Sequence, residues 1–343
     1  MATLDVGIAG AGLLGRLLAW RLARAGHRVT VFDAAVGPVP RFDGQGAAAF
    51  SAAGMLSPLA ELDNSSAEVA ALGWRSIALW RDVVAACQAV PAFSQRGSLL
   101  LAHRSDLGAA QRVLARIDGA ATRCVQPLTP AQLIELEPGL HGAAHAWLLP
   151  EEAQIDPIAA LQALHDEAHG VTWRWGCAVD RVTLGTLIIG EEEKRFDLAI
   201  DVRGTGARPE LPVRGVRGET AWLHAPRHCL TRPVRLLHPR HRVYLVPRPG
   251  DIVFVGASEI ESDDRSPVSL RSAVELLSAA HSVMPALAEA RVLRLDRNLR
   301  PALPDNEPRI ERGPGLLRIN GLFRHGWLIA PALVEDALSE PFT

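Results

Sequence analysis

The spacing of apolar and polar residues changes several times along the 343-residue chain, and each change predicts an element. Val6 to Ala9 is a short unbroken apolar run, as expected of a strand buried on both faces. From Leu13 to Ala25 the apolar residues recur at helical spacing. Arg28 to Phe32 reads as a second strand. Ala67 to Ala89 is expected to be an amphipathic helix, with Leu72, Ile77, Leu79, Trp80 and Val83 on its apolar face. Helices are also predicted over Leu107 to Ile117 and Pro130 to Glu137. Thr129 should cap the second, with Pro130 at its first position. Asp156-Pro157 repeats that start signal for a helix running to about Ala168. Short strands are expected at Ser98 to Ala102, Trp147 to Leu149, Val171 to Trp175, Val179 to Leu184 and Phe196 to Val202, with a hairpin around Gly190.

From Val213 to Gly256 strand-like runs alternate with Pro and Gly turns, the pattern of an antiparallel sheet. A helix at Leu270 to Ser282, a long strand at Arg291 to Leu299, a short one at Leu316 to Asn320 and a final helix from Trp327 to about Leu338 complete the reading. The fold class is α/β with two units: a discontinuous Rossmann-like dinucleotide domain and an inserted antiparallel-sheet domain. The expected division is 1–62, 140–210 and 300–343 for the first, and 63–139 with 211–299 for the second.

The candidate chemistry starts at the first strand-to-helix turn. Gly10-x-Gly12-x-x-Gly15 follows the first strand and opens the first helix. In this geometry Gly10 makes the tight turn, Gly12 admits a pyrophosphate, and Gly15 lets helix and strand pack closely. The pyrophosphate would sit on free N–H groups at the helix N-terminus. The second strand ends in Asp33, where a carboxylate accepts hydrogen bonds from a ribose diol. Strand, glycines, helix, strand and acid arriving in order make a dinucleotide site the better reading over a Gly-rich turn. Phe50 to Pro58 is small, apolar and Gly-interrupted, suited either to close approach of a flat ligand or to a helix start capped by Ser51.

Composition narrows the classes. The chain is 48% hydrophobic, enough for a sizeable core, and its net charge of −2 gives no reason to expect a nucleic acid partner. Cys87, Cys124, Cys177 and Cys229 show no C-x-x-C spacing, so free thiols rather than disulfides or a zinc site are expected, and no metal site is predicted. Arg16, Arg21 and Arg24 interrupt the first helix, so no membrane span is expected. The early glycine motif leaves no room for a signal peptide, and a cytoplasmic location follows as an expectation.

Seven segments in order resemble the D-amino-acid oxidase family of FAD-dependent amine oxidases, over almost the whole chain. They are Gly10-x-Gly12-x-x-Gly15 with Asp33, Ser51-Ala52-Ala53-Gly54-Met55-Leu56, Val216-Arg217-Gly218-Glu219, Tyr244-Leu245-Val246-Pro247-Arg248, Val255-Gly256-Ala257-Ser258-Glu259, Leu299-Arg300-Pro301 and Gly321-Leu322-Phe323-Arg324-His325-Gly326-Trp327. The likeness is strongest to the branch that oxidises glycine for thiazole synthesis in the thiamine pathway. The resemblance implies that Leu13 and Leu14 offer N–H groups to the FAD pyrophosphate, and that Asp33, with Ala34 beside it, meets the ribose. Ala53, Gly54 and Met55 would lie along the flavin, Val179 would meet the adenine through its backbone, and Gly204 and Gly206 would face the cofactor. Leu322, Phe323, Arg324, His325, Gly326, Trp327 and Leu328 would wrap the flavin at the start of the last helix.

On the substrate side, the resemblance assigns the amino-acid carboxylate to Arg300, with Arg324 and Tyr244 near it. A planar bidentate cation suits a carboxylate. No catalytic acid–base residue is implied, because hydride leaves Cα for the flavin once the amine is neutral. His325 is read as a loop residue near the flavin, and Glu259 as lining the active-site mouth or facing solvent. FAD should be non-covalent, since Cys229 is the last cysteine. The expected reaction joins a small amine or amino acid with water and O2 to give an oxo-acid, ammonia and H2O2. The implied partners are a thiazole synthase receiving the imine and further copies of the chain in a homo-oligomer. Two alternatives stand beside this: a D-amino-acid or imino-acid dehydrogenase that reduces a quinone, and an FAD-binding subunit without turnover.

Overall fold

The computed structural model describes residues 3–63, 65–87, 93–120, 125–238 and 242–339. Cys124 and the expected end of the helix at 88–89 lie outside them. Two large sheets dominate. The first has six strands in the order Arg309–Gly313, Leu316–Asn320, Leu198–Asp201, Asp5–Ala9, Arg28–Asp33, Thr172–Trp175. All its pairings are parallel except the Arg309–Gly313 edge. The strands that meet in the middle of this sheet come from three distant stretches of chain. Continuous apolar runs such as Val6, Ile8 and Ala9 are fully buried, as both faces of the sheet require.

The helices Leu13–Arg24, Pro157–Asp166 and Gly326–Ser339 share one core with this sheet. Asp156 caps the second of these through the N–H groups of Ile158 and Ala159, and Thr129 forms a capping box at Pro130–Leu136. Both starts agree with the cap-plus-proline signal.

The second sheet has nine strands, including Arg214–His224, Arg242–Arg248, Ile252–Gly256 and the twelve-residue Arg291–Ala302. The helix Leu270–Val283 packs its apolar side against it around Leu276, Ala280 and Val283. The sheet is antiparallel with one exception: Val234–Leu237 runs parallel to Ser98–Ala102.

Two segments sit differently from the expected division. The helix Ala67–Ala86 belongs with the first core: Trp80 stacks on Trp327 with ring centroids 5.3 Å apart and donates to the Trp327 carbonyl at 2.8 Å. Gly73 makes this approach possible, since a Cβ there would meet Leu328 at 2.8 Å. The strand His145–Leu149 belongs with the second sheet, paired to Ser98–Ala102. An amphipathic helix or a five-residue apolar strand carries no mark of which core it will join. The Ala48–Ser51 segment is a single 3-10 turn, followed by the short strand Met55–Leu56, rather than a helix start.

Candidate active site

A cavity of about 1600 Å³ runs from the carboxyl ends of the parallel strands to the face of the nine-stranded sheet. Ligands of open α/β sheets bind at such strand ends. Every candidate cofactor- and substrate-binding residue named from the sequence lines it except Gly15. That glycine serves packing: a Cβ there would lie 1.9 Å from the Gly10 carbonyl. Gly10 itself has φ of +107°, and a Cβ on it would meet the Val202 carbonyl at 2.7 Å. Gly12 differs, with nothing nearer than Ala47 at 3.8 Å. It is the N-cap of Leu13–Arg24, whose first turn holds no acidic residue and no side-chain cap. Leu13 and Leu14 therefore present their first-turn N–H groups beside open space, a cradle for an anion.

Around this cradle the polar groups are ordered by backbone. Asp33 accepts from the N–H groups of Ala11 at 2.5 Å and Ala35 at 2.7 Å, which aims its carboxylate into the cavity wall. Each carboxylate oxygen keeps acceptor capacity for a ribose hydroxyl. The Val179 carbonyl accepts from Arg203, which also pairs with buried Asp201 at 2.7 Å. Gly204, at φ of +59°, hands its carbonyl to Asn320.

Gly54 has φ of +62°, and a Cβ on it would lie 2.1 Å from the Ile155 carbonyl. Ile155 donates to the Gly54 carbonyl at 2.9 Å, and Met55 pairs with Gln154. Arg248, fully enclosed, donates to the Ala53 carbonyl. Burial pulls its guanidinium down to about 10. The flat Ala53–Met55 segment is thus held from both sides. At the last helix Phe323 adopts φ of +47° and donates to the Pro301 carbonyl at 2.9 Å, while His325 donates to the Leu322 carbonyl at 2.8 Å. This turn brings the N-terminus of Gly326–Ser339 to the cavity, with open space at Gly326.

The end of the cavity against the nine-stranded sheet is built from charged side chains. Arg300 stands on the long strand opposite Val216 and donates to the Ser258 carbonyl at 3.0 Å. Two glycines make room there. A Cβ on Gly218 would meet the Arg300 guanidinium at 2.5 Å, and one on Gly256, directly opposite Tyr244, would meet the phenol oxygen at 2.7 Å. Burial pulls Arg300 below its ordinary value, opposed by Tyr244. Burial pushes the Tyr244 phenol up, opposed by Arg300, so the hydroxyl stays protonated and can donate.

Glu61 lines the same cavity and was not singled out by the sequence reading. It sits at the end of the short helix Pro58–Glu61, whose first N–H groups are capped by the buried carboxylate of Glu152, at 2.9 Å to Leu59 and 3.0 Å to Ala60. Glu61 pairs with Arg235 at 2.5 Å and with Arg324 at 3.2 Å, and lies 3.3 Å from the His325 ring. Burial pushes its carboxyl up, but Arg324 and Arg235 more than offset this and hold it well below the usual range. Arg324 reaches on to Glu259 at 3.2 Å. The one available signal was Arg235, a charge inside the buried apolar strand Val234–Leu237, which demands a partner.

The chain is 40% identical to the thiamine biosynthesis oxidoreductase ThiO of Rhizobium etli over 330 residues, covering 95% of this chain and 93% of that one. It is 25% identical to the glycine oxidase of Geobacillus kaustophilus, and the solved structure of that enzyme matches with a TM-score of 0.83 over 99% of this chain and 94% of the other. The iminodiacetate oxidase of Chelativorans shares the fold at a TM-score of 0.83 and 24% identity, covering 98% of this chain and 96% of that one. A bifunctional protein ThiO/ThiG of Nostoc is 28% identical across 98% of this chain, which spans 53% of that protein. The glycine cradle, the acid at Asp33 and the open helix N-termini fit FAD, and the family model for FAD dependent oxidoreductases matches residues 5–336: the chain belongs to that family and is an FAD-dependent enzyme.

Proposed function

We propose that this enzyme oxidises glycine or another small amino acid, releasing an oxo-acid, ammonia and H2O2. The observation that carries the reading is the substrate end of the cavity. Arg300 there is an enclosed cation whose donors meet only neutral acceptors, with the Tyr244 hydroxyl beside it. A buried guanidinium stays charged and needs an anion. A planar carboxylate fits its fork. Bound FAD supplies a hydride acceptor that O2 can reoxidise. The protein's own contribution is orientation: Arg300 and Tyr244 would hold the carboxylate, and the Ala53–Met55 segment and the Leu322–Leu328 turn would frame the reacting carbon. No acid–base residue is needed once the amine is neutral.

The cavity holds no cysteine among the described residues, which supports non-covalent FAD. The likeness to a thiamine biosynthesis oxidoreductase supports a role in thiazole synthesis. The bifunctional relative supports hand-over of the imine to a thiazole synthase. Among the described residues no helix is long and apolar enough to cross a membrane. The test is H2O2 release by the purified yellow protein across glycine, sarcosine, small D-amino acids and amines without a carboxylate. Oxidation confined to carboxylated amines is expected; equal oxidation of simple amines would refute the reading.

A further inference from the structure

We propose that Glu259 is a specificity-determining residue that restricts the site to substrates with one carboxylate and rejects those with a second acidic group. This rests on the reading of Arg300 as the carboxylate anchor. The charges at this end of the cavity form one linked chain: Arg235 to Glu61 at 2.5 Å, Glu61 to Arg324 at 3.2 Å, and Arg324 to Glu259 at 3.2 Å. Arg300 stands beside the chain and bonds to the carbonyls of Ser258 at 3.0 Å and Arg217 at 3.5 Å. Arg235 and Arg324 thus have carboxylate partners, whereas the bonds of Arg300 are to carbonyls. One substrate carboxylate would give Arg300 an ion-pair partner.

A second carboxylate on the same substrate would seek Arg324, the next cation along the cavity. Glu259 already holds that donor. It lies in the loop between Ile252–Gly256 and Ile260–Glu261, on the segment whose Ser258 carbonyl receives Arg300. Its side chain is 48% exposed, against 15% for Arg324 and 11% for Glu61, so it stands at the mouth with Arg324 behind it. Of the other charges lining this part of the cavity, Arg271 and Glu275 of the helix Leu270–Val283 pair with each other at 3.4 Å, and Arg265 donates to the Gly44 carbonyl. An incoming second acid thus meets a like charge, and the Nε and Nη1 donors of Arg324 are already engaged by Glu61 and Glu259. Like charges brought together in a partly desolvated site discriminate strongly.

The experiment uses holoenzyme and carboxylates that cannot be oxidised, followed by calorimetry: acetate and glycolate as single acids, malonate and diglycolate as double acids. The wild type should favour the single acids. In Glu259→Gln, which keeps the shape and removes the charge, the preference should fall about tenfold or more, because Arg324 becomes open to the second carboxylate. The flavin absorbance of the variant should match the wild type, as a check that the site is assembled. An unchanged ratio with single acids still bound would overturn the proposal alone. Failure of both proteins to bind either class would overturn it together with the role of Arg300.

Discussion

At the dinucleotide end of the cavity the wall is mostly main chain. Gly12 opens a helix onto space, Gly10 and Gly54 turn with positive φ, and even Asp33 is aimed by two backbone N–H groups. At the substrate end the wall is mostly side chain. Arg300, Tyr244, Arg324 and Glu61 reach in from four separate segments, with Arg324 and Glu61 joined by charge and Arg300 beside Tyr244. The difference teaches how each end tolerates change. A main-chain cradle fails when a Cβ is added where none fits. A side-chain cluster fails when one charge is removed and its partner stays buried.

The largest expected effect tests the side-chain end. Arg300→Ala should leave a substrate carboxylate without its partner, and losing one member of a buried pair costs on the order of 3–5 kcal/mol. That corresponds to roughly 10²–10³-fold or more in kcat/KM. Much of it should appear in KM, since the carboxylate is held in ground and transition states alike. Flavin absorbance should hardly change. An unaltered kcat/KM for small amino acids would place the carboxylate elsewhere.

The next tests touch the main-chain end. Asp33→Ala should weaken FAD without unfolding the protein, because it removes charge-assisted hydrogen bonds worth roughly 1.5–3 kcal/mol each. FAD titration of the apoprotein measures the loss. Retained affinity would show that Asp33 serves only the Ala11 and Ala35 backbone. Gly15→Ala puts a methyl group against the Gly10 carbonyl. Alanine gains about 1 kcal/mol in helix propensity, but overpacking costs typically about 1–3 kcal/mol, and here the obstacle is backbone. A lower Tm and weaker FAD binding should follow, with kcat at saturating FAD less affected. A more stable variant would mean that the Gly10 turn yields easily.

Tyr244→Phe should give the smallest effect. One hydrogen bond is lost while Arg300 remains, about 0.5–1.5 kcal/mol, or roughly two- to tenfold in KM. A fall in kcat with KM unchanged would move the hydroxyl from holding the carboxylate to the reacting centre.

The two ends also differ in how far they could be read from the chain. Gly10, Gly12, Asp33 and the strand–helix–strand pattern were legible because one βαβ unit is local, and its periodicity and glycines constrain it within a few turns. Arg300, Arg324 and Tyr244 were named through a family resemblance, and all three line the cavity. Glu61 gave no local signal. Only packing made it the partner of Arg235 and Arg324.

What the sequence determined by itself is the class of element at most places, the dinucleotide loop and the caps at Thr129 and Asp156. Each depends on residues within about one helical turn or one strand of each other. Tertiary structure decided which sheet receives His145–Leu149, why Ala67–Ala86 packs on Gly326–Ser339, and which direction Val234–Leu237 runs beside Ser98–Ala102. It also decided how the charges tally at the substrate end. The physical reason is the same throughout. Apolar surface can be buried against any complementary face, and an ion pair forms with whatever opposite charge the fold delivers, so partners far apart in sequence are chosen by the assembled core.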